Sequence, residues 1–294
     1  MMHFGKVSTA MVTPFDSKGN IDFQKTTKLI NYLIEHGSDS LVIAGTTGES
    51  PTLSNEEKLA LFRHAVKVVD KRVPVIAGTG SNNTKASIEL SQKAEQAGVD
   101  AIMIVAPYYN KPSQEGIIAH FQAIAKAVTL PIMAYNVPGR TVVSMTPETV
   151  VALAKLPNVI AVKEAGGNLG DMSQIIEQTP EDFNLYSGDD GLTLPALAVG
   201  ASGIVSVASH VIGDEMQAMI AHFESGQVKE AAALHRKLLP VMDELFKAPS
   251  PAPVKTALQL RGLDVGSVRL PLLPLNQEQR TALSTVLDTL KIKA

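Results

Sequence analysis

The chain has 294 residues, 45% hydrophobic and 19% charged, with a net charge of −3; that suits one sizeable core, and the scattered charges leave no basic face for a phosphate backbone, which excludes nucleic acid as an expected partner. The absence of cysteine excludes disulfides, thiolate metal sites and cysteine nucleophiles. No apolar run reaches the ~18 residues of a membrane span or forms a signal peptide behind the opening MMHFGK, so no membrane contact and a cytoplasmic location are expected.

In chain order, short apolar runs rich in β-branched residues alternate with helical patterns. VSTAMVTPF from Val7 is followed by a helix over Phe23 to Glu35, with Leu29, Ile30, Leu33 and Ile34 on one face. SLVIAG from Ser40 leads through GTTGES into a helix over Asn55 to Val69, carrying Leu59, Phe62, Val66 and Val69. Further runs start at Val73, Ala101, Leu130, Val159, Asn184 and Gly203, which makes eight. Ser54 with Glu57, and Thr146 with Pro147, read as helix starts; Gly37 and Gly98 read as helix ends. Near-continuous apolar strands imply a parallel sheet covered on both faces, and eight βα units close a barrel. An open doubly wound sheet is the alternative, but it wants a glycine-rich dinucleotide loop after the first strand, which TPFDSKG is not. The expected architecture is an α/β fold, a (β/α)8 TIM barrel over residues 1–225. A helix over Asp214 to Glu224 completes it, and a C-terminal three-helix extension over 226–294 follows, from patterns at Val228 to Phe246, Val254 to Arg261 and Gln277 to Lys291.

Catalytic groups of such barrels come from the C-terminal strand ends. Those ends deliver Thr13, Thr46, Thr47, Thr79, Tyr108, Tyr109, Tyr135, Asn136, Lys163, Glu164, Ser187 to Asp190 and Ser206. Lys163 interrupts an apolar run, VIAVKEA; burial favours the neutral amine that attacks a carbonyl, while the alternatives are a lysine turned outward or paired with Glu164. Tyr135 can relay protons if other hydroxyls, such as Thr46, hold its phenol, or can simply fill core. GTTGES offers backbone N–H groups to a carboxylate. Arg140 can grip a second carboxylate, or lie at the surface. The seven histidines show no paired spacing, so no metal site is expected and a metal-dependent hydrolase lacks its ligands. A barrel that binds a keto acid without turning it over is a further reading, disfavoured because a pure binder has no use for a buried amine.

GTTGES, PYYNKPSQEG from Pro107, YNVPGRT from Tyr135, VKEA around Lys163, SGDD from Ser187 and APSPAPVKTAL together resemble the dihydrodipicolinate synthase family along essentially the whole chain. The resemblance implies a class I aldolase-type reaction. Pyruvate forms an imine with Lys163, becomes an enamine and attacks L-aspartate 4-semialdehyde, giving 4-hydroxy-tetrahydrodipicolinate for diaminopimelate and lysine biosynthesis with no cofactor beyond the imine. It implies a proton relay of Tyr135, Thr46 and Tyr109, with Tyr109 reaching into a neighbouring subunit's site, and hence a homodimer or homotetramer. It assigns Thr47, Val205 and Gly188 to pyruvate and Arg140 to the semialdehyde carboxylate; from the residues alone, Val205 reads as core. N-acetylneuraminate lyase and 2-keto-3-deoxygluconate aldolase share the lysine and tyrosine, so these alone leave the substrate open; Tyr109 and Arg140 favour the synthase. In lysine-inhibited members, two histidines and a glutamate stand where this chain has Asn55, Lys58 and Ala86, although Ser50, Asn82 and Tyr108 match. Weak or absent lysine inhibition is expected.

Overall fold

A computed structural model describes residues 3–290; Met1, Met2 and the expected helix end at Lys291 lie outside the described residues. The eight apolar runs form eight strands: β1 Val7–Ala10, β2 Ser40–Ile43, β3 Val75–Gly78, β4 Ala101–Val105, β5 Ile132–Asn136, β6 Val159–Glu164, β7 Asn184–Ser187 and β8 Gly203–Ser206. They pair in parallel in sequence order, and β1 also pairs with β8, Val7 opposite Ile204. The sheet therefore closes, as the eight βα units predict, and no strand face is left to water.

Between the strands run α1 Phe23–Glu35, α2 Asn55–Val69, α3 Thr84–Gln96, α4 Gln114–Ala127, α5 Pro138–Thr141, α6 Pro147–Leu153, α7 Leu169–Gln178 and α8 Thr193–Ala198. α2 starts with the expected reciprocal cap. The Glu57 N–H donates to Ser54 Oγ at 3.2 Å and the Ser54 N–H to Glu57 Oε2 at 2.9 Å, an arrangement contributing ~1 kcal/mol. Gly37 and Gly98 follow α1 and α3 at φ +88° and +86°, where a Cβ would be strained.

Beyond the barrel strands lie α9 Ser209–Glu224, α10 Val228–Glu244, α11 Ala252–Leu260 and α12 Gln277–Thr289. α9 begins well before the expected Asp214, because a first turn from Ser209 follows β8 directly; the backbone breaks at Ile212 (φ −138°, ψ 32°) before the regular helix continues. α10 packs along α9, and α11 and α12 pack on each other and on α9 and α10. Leu238, Val241 and Met242 of α10, Val254 and Leu258 of α11 and Leu283 and Leu287 of α12 are buried. At roughly 1.5–3 kcal/mol per large apolar side chain, these contacts hold helices too short to stand alone.

Candidate active site

Side chains alternate along a strand, so β6 sends Ala161 into the barrel and Val162 toward the helices, and the same parity sends Lys163 inward and Glu164 outward. Lys163 stands in register with Tyr135 on β5 and Tyr186 on β7. Its Nζ lies 4.3 Å from the centre of the Tyr135 ring, with the two residues 5% and 4% exposed. Pairing between Lys163 and Glu164 is ruled out by this geometry. The Glu164 carboxylate accepts from Asn136 Nδ2 at 2.9 Å and from the Gly166 N–H at 2.6 Å on the opposite face. Burial pushes that carboxyl above the usual range against both bonds.

The two tyrosines beside Lys163 differ. Tyr186 turns its hydroxyl to the barrel floor, where it accepts from the Phe4 N–H at 3.2 Å, and burial raises its pKa to about 12. It stays protonated at any working pH and fills the floor. Tyr135 instead lines the mouth, a cavity of about 600 Å³ whose wall also holds Thr46, Thr47, Arg140, Lys163 and Gly188.

Gly188 follows β7 and abuts the lysine. A methyl group there would lie 3.0 Å from Lys163 Cε and 2.6 Å from Ala165 Cβ, so the missing side chain makes room for the amine's stem. Arg140 sits on α5, right after β5, and lines both the cavity and an adjoining cleft of about 310 Å³. The cleft shares Thr46 and Tyr135 with the cavity and adds Ser50, Lys58 and Tyr108; burial lowers the Lys58 pKa.

Two residues that the resemblance assigns do not line this chain's cavity, which for Tyr109 is what a role in a neighbouring subunit's site requires. Val205, on β8, is buried inside the barrel in the cluster that holds Tyr135 and Tyr186, and it is Val207 that reaches the cavity wall. Tyr109 is 88% exposed on a backbone with φ +74° and is not among the residues lining the cavity of its own chain.

Sequence reasoning missed several groups at the mouth. Met242, Phe246, Lys247 and Ser250, at and beyond the end of α10, form one side of the cavity. Asp190 is buried beneath it and accepts from Ser206 Oγ at 2.5 Å and from the Val207 and Ala208 N–H groups at 3.1 and 3.0 Å, tying the loop after β8 to the turn after β7. Burial raises its pKa against these bonds. Asp190 stands among the strand-end groups read from the sequence, in the doubled acid of SGDD, and the structure gives it this tying role. Among the described residues, no group of three or more His, Asp and Glu side chains is placed to hold a metal ion.

The profile of the dihydrodipicolinate synthetase family matches residues 3–290. The 4-hydroxy-tetrahydrodipicolinate synthase of Bacillus velezensis is 66% identical over 289 residues, covering 98% of this chain and 100% of that protein. The crystal structure of a dihydrodipicolinate synthase from Bacillus anthracis matches with a TM-score of 0.97 at 65% identity, over 98% of this chain and 99% of that one. A lysine-bound structure of the enzyme from Cyanidioschyzon merolae matches at a TM-score of 0.96 and 47% identity, over 97% and 98% of the two chains. A closed barrel with a buried lysine against a tyrosine at its mouth, and agreement with these relatives from end to end, lead to one conclusion: the chain belongs to the dihydrodipicolinate synthetase family.

Proposed function

We propose that this chain condenses pyruvate with L-aspartate 4-semialdehyde to give 4-hydroxy-tetrahydrodipicolinate, the step at which diaminopimelate and lysine biosynthesis receives its ring. The observation that carries the reading is the Lys163 amine 4.3 Å from the Tyr135 ring centre on the wall of a cavity that also holds Thr46, Thr47, Arg140 and Gly188. The neutral amine attacks the pyruvate keto carbon, and loss of water gives the imine. A proton leaves the pyruvate methyl group to form the enamine, whose carbon attacks the aldehyde. The substrate's own amine then closes on the imine carbon and displaces Lys163.

Tyr135, with Thr46 and a partner's Tyr109 equivalent, moves the protons of imine formation and breakdown. Thr47 and the N–H groups of its turn receive the pyruvate carboxylate, and Gly188 leaves it space beside the lysine. Val205 supports this pocket from within the barrel. Arg140 holds the semialdehyde carboxylate. No cofactor takes part beyond the covalent imine. Residues 1–225 act as the catalytic barrel and 226–294 as its helical extension. Among the described residues, no helix is long and apolar enough to cross a membrane; we infer a cytoplasmic homo-oligomer, dimeric or tetrameric, from the biosynthetic role and the outward Tyr109.

Borohydride reduction in the presence of pyruvate, followed by peptide mapping, tests the chemistry: the stable adduct is expected on the Lys163 peptide and absent from Lys163→Ala. An adduct on another lysine sinks the mechanism. A coupled assay with the semialdehyde, beside N-acetylneuraminate and ketodeoxygluconate cleavage, tests the substrate. Free lysine should inhibit weakly or not at all, since its ammonium would meet Lys58 in the cleft, and Asn55 and Ala86, at the other two positions that differ from lysine-inhibited members, bring no carboxylate. Inhibition of the purified enzyme by micromolar lysine would overturn that.

A further inference from the structure

The GTTGES turn carries both threonines of the site, yet its backbone is not self-supporting. Ala44, just before it, and Glu49, its penultimate residue, hold φ values of +53° and +57°, a region that costs a side-chain-bearing residue energy and persists only where surroundings enforce it. Part of the enforcement is local: Thr13 Oγ1 donates to the Gly48 carbonyl at 2.6 Å. The rest comes from the far end of the chain.

Glu49 is almost completely buried, and its carboxylate is gripped twice by the extension. Oε1 lies 2.6 Å from Lys255 Nζ of α11, and Oε2 accepts the Arg269 N–H at 2.9 Å. Lys255, equally buried, also donates to the Ser267 carbonyl at 2.8 Å and stands 4.2 Å above the Phe15 ring. The Arg269 guanidinium stacks 4.3 Å from the same ring and donates to the carbonyls of Gly19 and Thr52, both at 2.7 Å, and to both carboxylate oxygens of Glu57. Two cations from the extension thus converge on the Phe15 ring, while the buried Glu49 carboxylate takes one of them, Lys255, and the backbone N–H of the other, Arg269. A buried ion pair is a poor way to gain stability, because desolvation offsets most of the attraction, but it is an effective way to fix one geometry.

We propose that Glu49 and Lys255 are positioning residues: through their buried ion pair the C-terminal extension sets where Thr46 and Thr47 stand in the cavity. This rests on the roles given to the two threonines above. Neither Glu49 nor Lys255 lines the cavity, so both act through the turn. Displacing such a turn by about 1 Å is enough to cost a reaction roughly a hundredfold.

Initial rates over a range of pyruvate concentrations, and the rate of borohydride-trapped adduct formation, are measured for the parent, Lys255→Met, Glu49→Gln, the double variant and Arg269→Met, each with a melting curve. Variants that fold are expected to raise the pyruvate KM and slow trapping by roughly 10- to 100-fold. The double variant should be no worse than the poorer single one, because both act on one element, and Lys255→Arg should recover part of the loss. Folded variants with the parent's KM and trapping rate overturn the proposal. If the buried-pair variants do not fold, Arg269→Met decides by the same criterion, since its partly exposed guanidinium, bonded to Gly19, Thr52 and Glu57, holds in place the backbone N–H that grips Glu49, and its loss loosens that grip without burying an unpaired charge. Thr47→Ala separates the two layers of inference. An unchanged pyruvate KM there counts against the threonine's role and this inference with it; a raised KM there beside normal clamp variants counts against the clamp alone.

Discussion

Gly188 leaves the stem of Lys163 no spare room, and that makes it the residue at which the imine site is tested by the smallest change. A methyl group at 3.0 Å from Lys163 Cε and 2.6 Å from Ala165 Cβ must push one of them aside, and the lysine is the neighbour with freedom to move. Gly188→Ala is expected to fold and to slow adduct trapping with pyruvate roughly 10- to 100-fold; a trapping rate equal to the parent's would show that the amine tolerates displacement. Lys163 was legible in the sequence because a charge inside VIAVKEA breaks an apolar pattern. Lys255 breaks APVKTAL in the same way and is just as buried, but its partner Glu49 lies 206 positions earlier, and no local pattern joins them. Val205 shows the converse limit, since residue type alone leaves a strand valine as core, which is where the structure buries it.

At the scale of elements, strand identity and the barrel's order followed from composition and period, whereas short or broken elements did not. α5 and α8 are too brief to display a helical period, and the break at Ile212 hid the first turn of α9. That turn carries His210, which links the loop after β8 to the chain beyond β1. Its Nε2 accepts the Val12 N–H at 3.1 Å and its Nδ1–H donates to the Val207 carbonyl at 2.8 Å, so these partners select the neutral ring. Burial lowers its pKa from 6.5 to about 4. The unfolded chain therefore takes up this proton first, and the stability His210 supplies is full above pH 6.5 and lost as pH falls toward 4, on the order of 3 kcal/mol over the window. Melting temperatures from pH 7 to 4 should fall more steeply for the parent than for His210→Gln, which has nothing to titrate there. Parallel curves would remove the ring from the acid response.

Across the whole molecule, one residue of the proposed relay lies outside the lining of its own cavity. Tyr109 is 88% exposed, and if it serves a neighbouring subunit, then Tyr109→Phe and Lys163→Ala chains, each impaired alone, should recover activity when co-assembled. In such a pair, one site has an intact lysine and receives an intact tyrosine. Mixed assemblies no more active than the separate variants would place the relay within one chain. The strap from α11 and Arg269 to Glu49 has a further consequence for the order in which a working enzyme arises. Its contacts span 206 to 220 positions, and such long-range pairings form late. A chain emerging from the ribosome exposes Glu49 and the threonine turn long before Lys255 and Arg269 exist to hold them. The barrel strands are all synthesised by Ser206, whereas Met242, Phe246, Lys247 and Ser250 of the cavity wall and the strap beyond them come last, so on the proposal above the ability to capture pyruvate would mark finished synthesis.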